Sequence, residues 1–416
     1  MSESVNVVLL SQGDELTCGQ TTDTNSGWLA ARLWAMGLTV RRIIVAPDRL
    51  DELTAIIDEA AALADVVIGT GGLGPTRDDL TAAAAAAARG VPLAEDALAL
   101  SQITARFAAA GREMKATNRK QAVLPLGSVV LENRNGTAPG FAIDHRGCQL
   151  YFLPGPPHEM APMFEQRVVP DILSRHPLTP PVLVRIGVVL SESVLEHRLQ
   201  GLVVDGLSAA ALSIGFRAAP SGNEVKLRFD PVVSADTQQR TVDEILRRLG
   251  NSVVGVGEID PAAVLAARLT ERGETLAVAE SCTGGALAAR LVALPGASRY
   301  FQEGVTLYAD AAKVRVCGVS EQDLSEHGAV SEPVARAMAE GIRAAAGTDW
   351  GIGMTGITGP AGGRPGKPIG TVHLAIAGPH GTAHHRHTHH GGRAQIIQRS
   401  VTTALARFLQ GLRERS

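Results

Sequence analysis

The chain has 416 residues, enough at roughly 150 residues per domain for two to three domains, each with a core of its own. Hydrophobic residues make up 45% and charged residues 19%, the balance of a globular protein and not of a disordered one. A net charge of -3 and an aromatic content of 3% speak against a nucleic-acid partner held by a basic field or by stacked bases.

The first ninety or so residues alternate strand and helix patterns. Val5–Leu10 is a short apolar run, fit for a buried strand. Asn25–Met36 has helical spacing, with Trp28, Leu29, Leu33 and Met36 recurring every third or fourth position or so. Val40–Val45 reads as a second strand, Leu50–Ala64 as a helix and Val66–Gly69 as a third strand. This alternation predicts a parallel sheet covered on both faces. The loop after the third strand runs from Gly71 to Thr81 (GGLGPTRDDLT), where open parallel sheets place their ligands. Gly71, Gly72, Gly74 and Thr76 supply backbone amides for a phosphate, and Asp78 and Asp79 add two hard carboxylates. That pairing suits a phosphate ester with a divalent metal of unspecified identity. Glu15, beside Asp14 in the loop after the first strand, leaves the same sheet edge and is a third candidate ligand. The plainer reading is a tight turn with helix-capping aspartates.

Pro177–Pro181 (PLTPP) marks a boundary. A smaller α+β pattern follows: strand Val182–Val189, helix Val194–Leu202, strand Val225–Phe229 and helix Asp236–Leu249. A third unit opens with helix Pro261–Arg272 and strand Leu276–Val278. Ser281 then sits between a strand and a helix, a turn that presents a hydroxyl outward and offers the Thr283, Gly284 and Gly285 amides as an oxyanion hole. A nucleophilic serine needs a base, and no Ser–His–Asp order is evident. Lys313 is the candidate, because a lysine partly desolvated in a pocket can give up its proton. The competing readings are a helix N-cap for Ser281 and a surface lysine for Lys313. A second glycine loop, Met354–Pro360, follows strand Trp350–Met354 and suits a phosphate or a ribose.

Cys18, Cys148, Cys282 and Cys317 are widely spaced and form no CxxC pair, which opposes a zinc site or a disulfide framework. The N-terminus lacks the basic and apolar regions of a signal peptide, and Ala82–Ala88 is too short to span a bilayer. These features predict reduced thiols, a cytoplasmic location and no membrane partner.

Several motifs in order resemble the competence/damage-inducible protein A (CinA) family over nearly the whole length. In the first third they are Gly71–Thr81, Gly13-Asp14-Glu15-Leu16, Asp23-Thr24-Asn25, Asn118–Ala122, Asn135–Gly140 and Leu153-Pro154-Gly155. In the last third they are Ala279–Gly285, Tyr308–Lys313, Gly328–Ser331 and Thr355–Pro360. A weaker middle match covers Glu192-Ser193 and the strand at Val225–Phe229. The resemblance implies an α/β protein of three parts. Residues 1–170 would be a three-layer α/β/α molybdopterin-binding-like domain, 171–255 a small α+β KH-like domain and 256–416 an α/β CinA domain. It implies that the last domain hydrolyses nicotinamide mononucleotide to nicotinate mononucleotide and ammonia, through Ser281 and Lys313 with Tyr308 nearby and without a cofactor. Thr355, Gly356 and Arg393 would bind the substrate, Arg393 through its phosphate. The first domain would cleave the pyrophosphate of ADP-ribose with a divalent metal held by Asp78, Asp79 and Glu15. A homodimer is the default assembly.

Three positions depart from the family pattern. Asp310 stands where Asn is more common, and a carboxylate there is an ion-pair partner that opposes Lys313 as a proton acceptor. Thr358 replaces a usual Ala, and Gly392 replaces a usual acid before Arg393. The tract His384–His390 is read as a solvated strand face. Alternatives with the same motifs are a pyrophosphatase with an inactive last domain, and a non-enzymatic competence-related or pterin-binding protein.

Overall fold

The computed structural model describes residues 5–218 and 222–413. The chain divides at Pro181/Val182 into two compact units. In the first, strands β1 (Asn6–Gln12), β2 (Thr39–Ala46), β3 (Val66–Thr70), β4 (Val129–Leu131), β5 (Gly140–His145) and β6 (Cys148–Leu153) form one sheet in the order β2-β1-β3-β6-β5-β4. Pairings β1–β2, β1–β3 and β3–β6 are parallel, whereas β5 and β4 add on antiparallel, so the sheet is mixed and not wholly parallel. Side chains alternate across it. Val8 and Leu10 join one apolar cluster with Leu53 and Ile57 of helix α2 (Leu50–Leu63). Val7 and Leu9 join another with Leu29 and Leu33 of helix α1 (Thr24–Ala35). Period-2 strands buried on both faces make the three-layer architecture. The loop after β3 leads into helix α3 (Thr81–Arg89).

The second unit holds two sheets. Strands β7 (Val182–Val188), β8 (Leu212–Arg217), β9 (Asn223–Phe229) and β10 (Val253–Val256) form an antiparallel sheet in the order β8-β9-β7-β10. Helices α4 (Glu192–Leu199) and α5 (Ala235–Leu249) contribute Leu195, Leu199, Ile245 and Leu249 to its core. Helix α6 (Pro261–Arg272) has its boundaries written locally. The Asp260 carboxylate accepts the Ala262 N–H at 3.0 Å, Pro261 opens the first turn, and Gly273 closes the helix at φ 65°.

The last sheet runs β12-β11-β13-β14-β15, from β11 (Leu276–Glu280), β12 (Phe301–Thr306), β13 (Trp350–Gly356), β14 (Thr371–Gly378) and β15 (Gly381–Thr388). Its intervening and flanking helices include α7 (Ala286–Val292), α8 (Asp310–Cys317), α9 (Glu332–Ala346) and α10 (Arg393–Arg413). Leu276 and Val278 pack with α6 and α10, while Ala277 and Ala279 pack with Val334, Met338 and Ile342 of α9. Helix α9 lies directly on β13 because that strand carries Gly351 and Gly353. A Cβ on Gly353 would stand 2.4 Å from the Ala335 carbonyl oxygen and 2.6 Å from the Ala339 nitrogen. Gly353→Ala is therefore expected to lower stability by about 1–3 kcal/mol, an overpacking cost that a denaturant titration measures.

The four cysteines are free thiols, three of them buried. Among the described residues, no helix is long and apolar enough to cross a membrane.

Candidate active site

Strand β11 is buried throughout and ends at Glu280. The chain then turns at Ser281, whose N–H bonds the Met354 carbonyl at 3.0 Å and whose own carbonyl accepts the Gly284 N–H at 3.2 Å. Glu280 anchors the start of helix α7. Its buried carboxylate accepts the Leu287 N–H at 3.0 Å and the Ala288 N–H at 2.8 Å. A carboxylate on the open amides of a helix N-terminus is favoured by both hydrogen bonding and the helix dipole. It locks the turn that carries Ser281. The role is not assigned from sequence, although an acid a few residues before a helix start is its signal.

Ser281 opens into a cavity of about 270 Å³, shared with Lys313, Tyr308, Asp310, Thr355, Gly356 and Arg393. These residues come from four separate stretches of chain. Lys313 lies in the first turns of α8 with only 1% of its surface exposed. Its Nζ donates to the Tyr308 carbonyl at 3.1 Å and to Asp310 Oδ1 at 3.0 Å. An ammonium has three donors, and the third has no partner among the described residues. Tyr308 acts on the lysine through its backbone; its side chain is 68% exposed at the rim. Thr355 Oγ1 donates to the Ala329 carbonyl at 2.8 Å and ties β13 to the segment before α9. Arg393 opens α10 and donates to the Gly359 carbonyl at 2.9 Å.

Cys282 lines the same cavity and is a second candidate nucleophile there. Burial, above all, pushes its thiol up to about 12, so it stays protonated at neutral pH. Thr283, Gly284 and Gly285 do not line the cavity. The Gly284 amide is spent on the Ser281 carbonyl, and the Thr283 hydroxyl is buried without a partner among the described residues. The glycine-containing segment that does line the cavity with Ser281 is Thr355–Gly359. Gly392, where an acid is usual, is served by Gln395, whose Oε1 accepts the Gly392 N–H at 3.0 Å in half of a capping box.

The glycine loop of the first unit is held from inside. A Cβ on Gly71 would stand 2.4 Å from the Gln12 carbonyl oxygen, and one on Gly72 2.2 Å from Gln12 Nε2. The Gly71 N–H bonds the Leu153 carbonyl at 3.0 Å, and Thr76 donates both N–H and hydroxyl to Asp79 Oδ2 at 2.7 Å. The amides of Gly71 and Thr76 are thus turned inward in place of facing a phosphate. Asp79 is a loop fastener, Glu15 folds its carboxylate over Gly13, and Asp78 is exposed. Among the described residues, no three His, Cys, Asp or Glu side chains form a metal-ligand group. Lys120 donates to the Thr76 carbonyl, and Asn25 to the Gly155 carbonyl at 2.7 Å, binding the other motifs of this unit around the loop.

The histidine tract is not a wholly solvated face. His384 is drawn inward, with Nε2 3.0 Å from His373 Nδ1 and Nδ1 3.3 Å from Glu332. Burial, reinforced by the neighbouring His384, pushes His373 down to about 4.

The profile of the CinA C-terminal domain matches residues 259–412. The profile described as "Probable molybdopterin binding domain" matches residues 8–174. A CinA-like protein of Anaeromyxobacter dehalogenans is 43% identical over 402 residues, covering 96% of this chain and 98% of that protein. This chain belongs to the CinA family. A CinA-like protein of Syntrophotalea carbinolica is 41% identical over 405 residues, with 97% of each chain covered. Among solved structures, competence damage-inducible protein A of Klebsiella pneumoniae is 38% identical, covering 36% of this chain and 94% of its own at a TM-score of 0.36. The family assignment accounts for the α/β architecture with a molybdopterin-binding-like first domain and a CinA last domain.

Proposed function

We propose that the second unit hydrolyses the carboxamide of nicotinamide mononucleotide, releasing ammonia and nicotinate mononucleotide. The observation that carries this reading is a serine whose hydroxyl bonds none of the described residues and a buried lysine, both lining one small cavity with an arginine. Ser281 Oγ attacks the amide carbon while Lys313 takes its proton. Lys313 returns that proton to the departing nitrogen, which leaves as ammonia, and an ester to Ser281 remains. Water then cleaves the ester, delivering a hydroxyl to the acyl carbon and a proton back to Ser281. Arg393 meets the substrate phosphate as a charge-assisted donor. The assay is ammonia release from nicotinamide mononucleotide by the purified full chain; absence of ammonia at saturating substrate overturns the reading.

Asp310 tunes this chemistry. Its carboxylate sits 3.0 Å from Lys313 Nζ, and its own side chain is 58% exposed. Lys313 itself is buried, so water screens the pair from the carboxylate side, and its net worth is about 1 kcal/mol. Asp310→Asn keeps an acceptor at the same place and removes the charge, so ammonia release at neutral pH is expected to rise up to about fivefold. An unchanged or slower rate would show that the carboxylate does not restrain the base.

A second reading concerns the first unit. We infer cleavage of the ADP-ribose pyrophosphate, supported by an exposed Asp78 on a glycine loop at the carboxyl end of β3. The divalent metal would arrive with the phosphates. AMP formation with magnesium is expected to fall on Asp78→Ala while ammonia release stays the same; equal AMP formation in the variant removes this reading.

A further inference from the structure

The second unit contains another cleft, of about 990 Å³, that shares no lining residue with the Ser281 cavity. One wall is the end of β7 and the start of α4, Val188–Ser193; the other is β15 with α10. Arg399 and Arg407 stand about two turns apart on one face of α10, and both line the cleft. Among the described residues neither pairs with a carboxylate. Arg399 donates to the His390 carbonyl and Arg407 to Gln410 Oε1 at 3.1 Å.

The strand side of the cleft carries His387 and His389. Their rings are nearly parallel, 9° apart with centroids at 5.8 Å, and the Nε2 of each is buried with no partner among the described residues. Burial, followed by the charge of Arg407, pushes His387 down to about 4; burial, followed by Arg399, lowers His389. Both rings are therefore neutral at pH 7, and the arginine charges meet no anion there. The cleft has one carboxylate, Glu192, whose Oε1 accepts the Ala218 N–H at 3.0 Å. Ser191 and Ser193 add hydroxyls at the start of α4.

Two cations that pair with no carboxylate among the described residues, beside ring nitrogens with no partner there, suit an oxyanion. The volume far exceeds that of a free phosphate ion and lies at the upper end of the roughly 300–1,000 Å³ typical of small-molecule pockets. We propose that this cleft binds the phosphate of a nucleotide-sized metabolite, with Arg399 and Arg407 as the anion contacts and His387 and His389 as hydrogen-bonding partners.

The test uses AMP and inorganic phosphate as probes. Each is titrated into the full chain while the imidazole C–H signals are followed by NMR, with His387→Gln and His389→Gln identifying the two signals. This local readout separates the cleft from phosphate binding at either proposed catalytic site. AMP is expected to shift both signals saturably. Arg399→Gln/Arg407→Gln is expected to weaken that response about tenfold or more, the loss of hydrogen bonds to charged groups. An unchanged melting temperature in the double variant shows that the fold is intact; Arg407→Gln alone, weakening the response in the same direction, serves where the double variant melts early. The proposal is overturned if AMP leaves the two signals still, if the arginine variants respond like the parent, or if inorganic phosphate binds as tightly as AMP, which would mean an ion site only.

Discussion

Ser281→Ala is expected to abolish ammonia release from nicotinamide mononucleotide, lowering kcat by about 10⁴-fold or more, as removal of a covalent nucleophile does in other hydrolases. The substitution deletes one oxygen that makes no hydrogen bond to the described residues, and the turn is held by backbone bonds from Ser281 and by Glu280. Stability should therefore move by no more than about 0.5 kcal/mol. AMP formation from ADP-ribose, a property of the other unit, should be untouched. Cys282 cannot substitute for the lost hydroxyl, because burial keeps it a thiol. A variant that still releases ammonia at the parent rate would remove Ser281 from the chemistry and leave the cavity as a binding site only.

Lys313→Met is expected to lower kcat by about 10²–10⁴-fold, the range for loss of a positioned general base. Methionine fills the buried channel of the lysine stem and strands no charge, since Asp310 is solvated once its partner is gone. The decisive companion is Lys313→Arg. A guanidinium keeps the positive charge and the ion pair with Asp310 but does not give up a proton. If Lys313 is the base, arginine fails as badly as methionine. If the lysine only supplies charge to the cavity, arginine restores much of the rate. Measuring kcat and KM for both variants separates the two roles, with circular dichroism reporting that each is folded.

Elements whose limits are written in neighbouring residues were legible in the sequence. Helix Pro261–Arg272 is one, because Asp260, Pro261 and Gly273 start and stop it by local chemistry. The buried strands Val66–Thr70 and Leu276–Glu280 were legible except for their last one and two residues, since continuous apolar runs flanked by glycine loops suit the middle of a sheet. Strands Gly140–His145 and Leu212–Arg217 were not legible. Their place depends on antiparallel partners, Cys148–Leu153 and Asn223–Phe229, whose pairing is a long-range choice.

The same division runs through the composition. A net charge of -3 excludes a broad basic footprint, yet Arg399 and Arg407 concentrate positive charge in one cleft, which no whole-chain sum reveals. Family motifs, read from the sequence, marked Ser281, Lys313, Thr355 and Arg393; their gathering around one cavity is a property of the tertiary structure alone. The tertiary structure also turned Gly71, Thr76 and Asp79 into parts of an internally bonded loop. Residue types and local spacing determine which groups can do chemistry and where helices begin and end. Which amides stay open, which carboxylates are spent on neighbours and which cations remain unpaired depends on contacts between residues far apart in the chain, and only packing decides those.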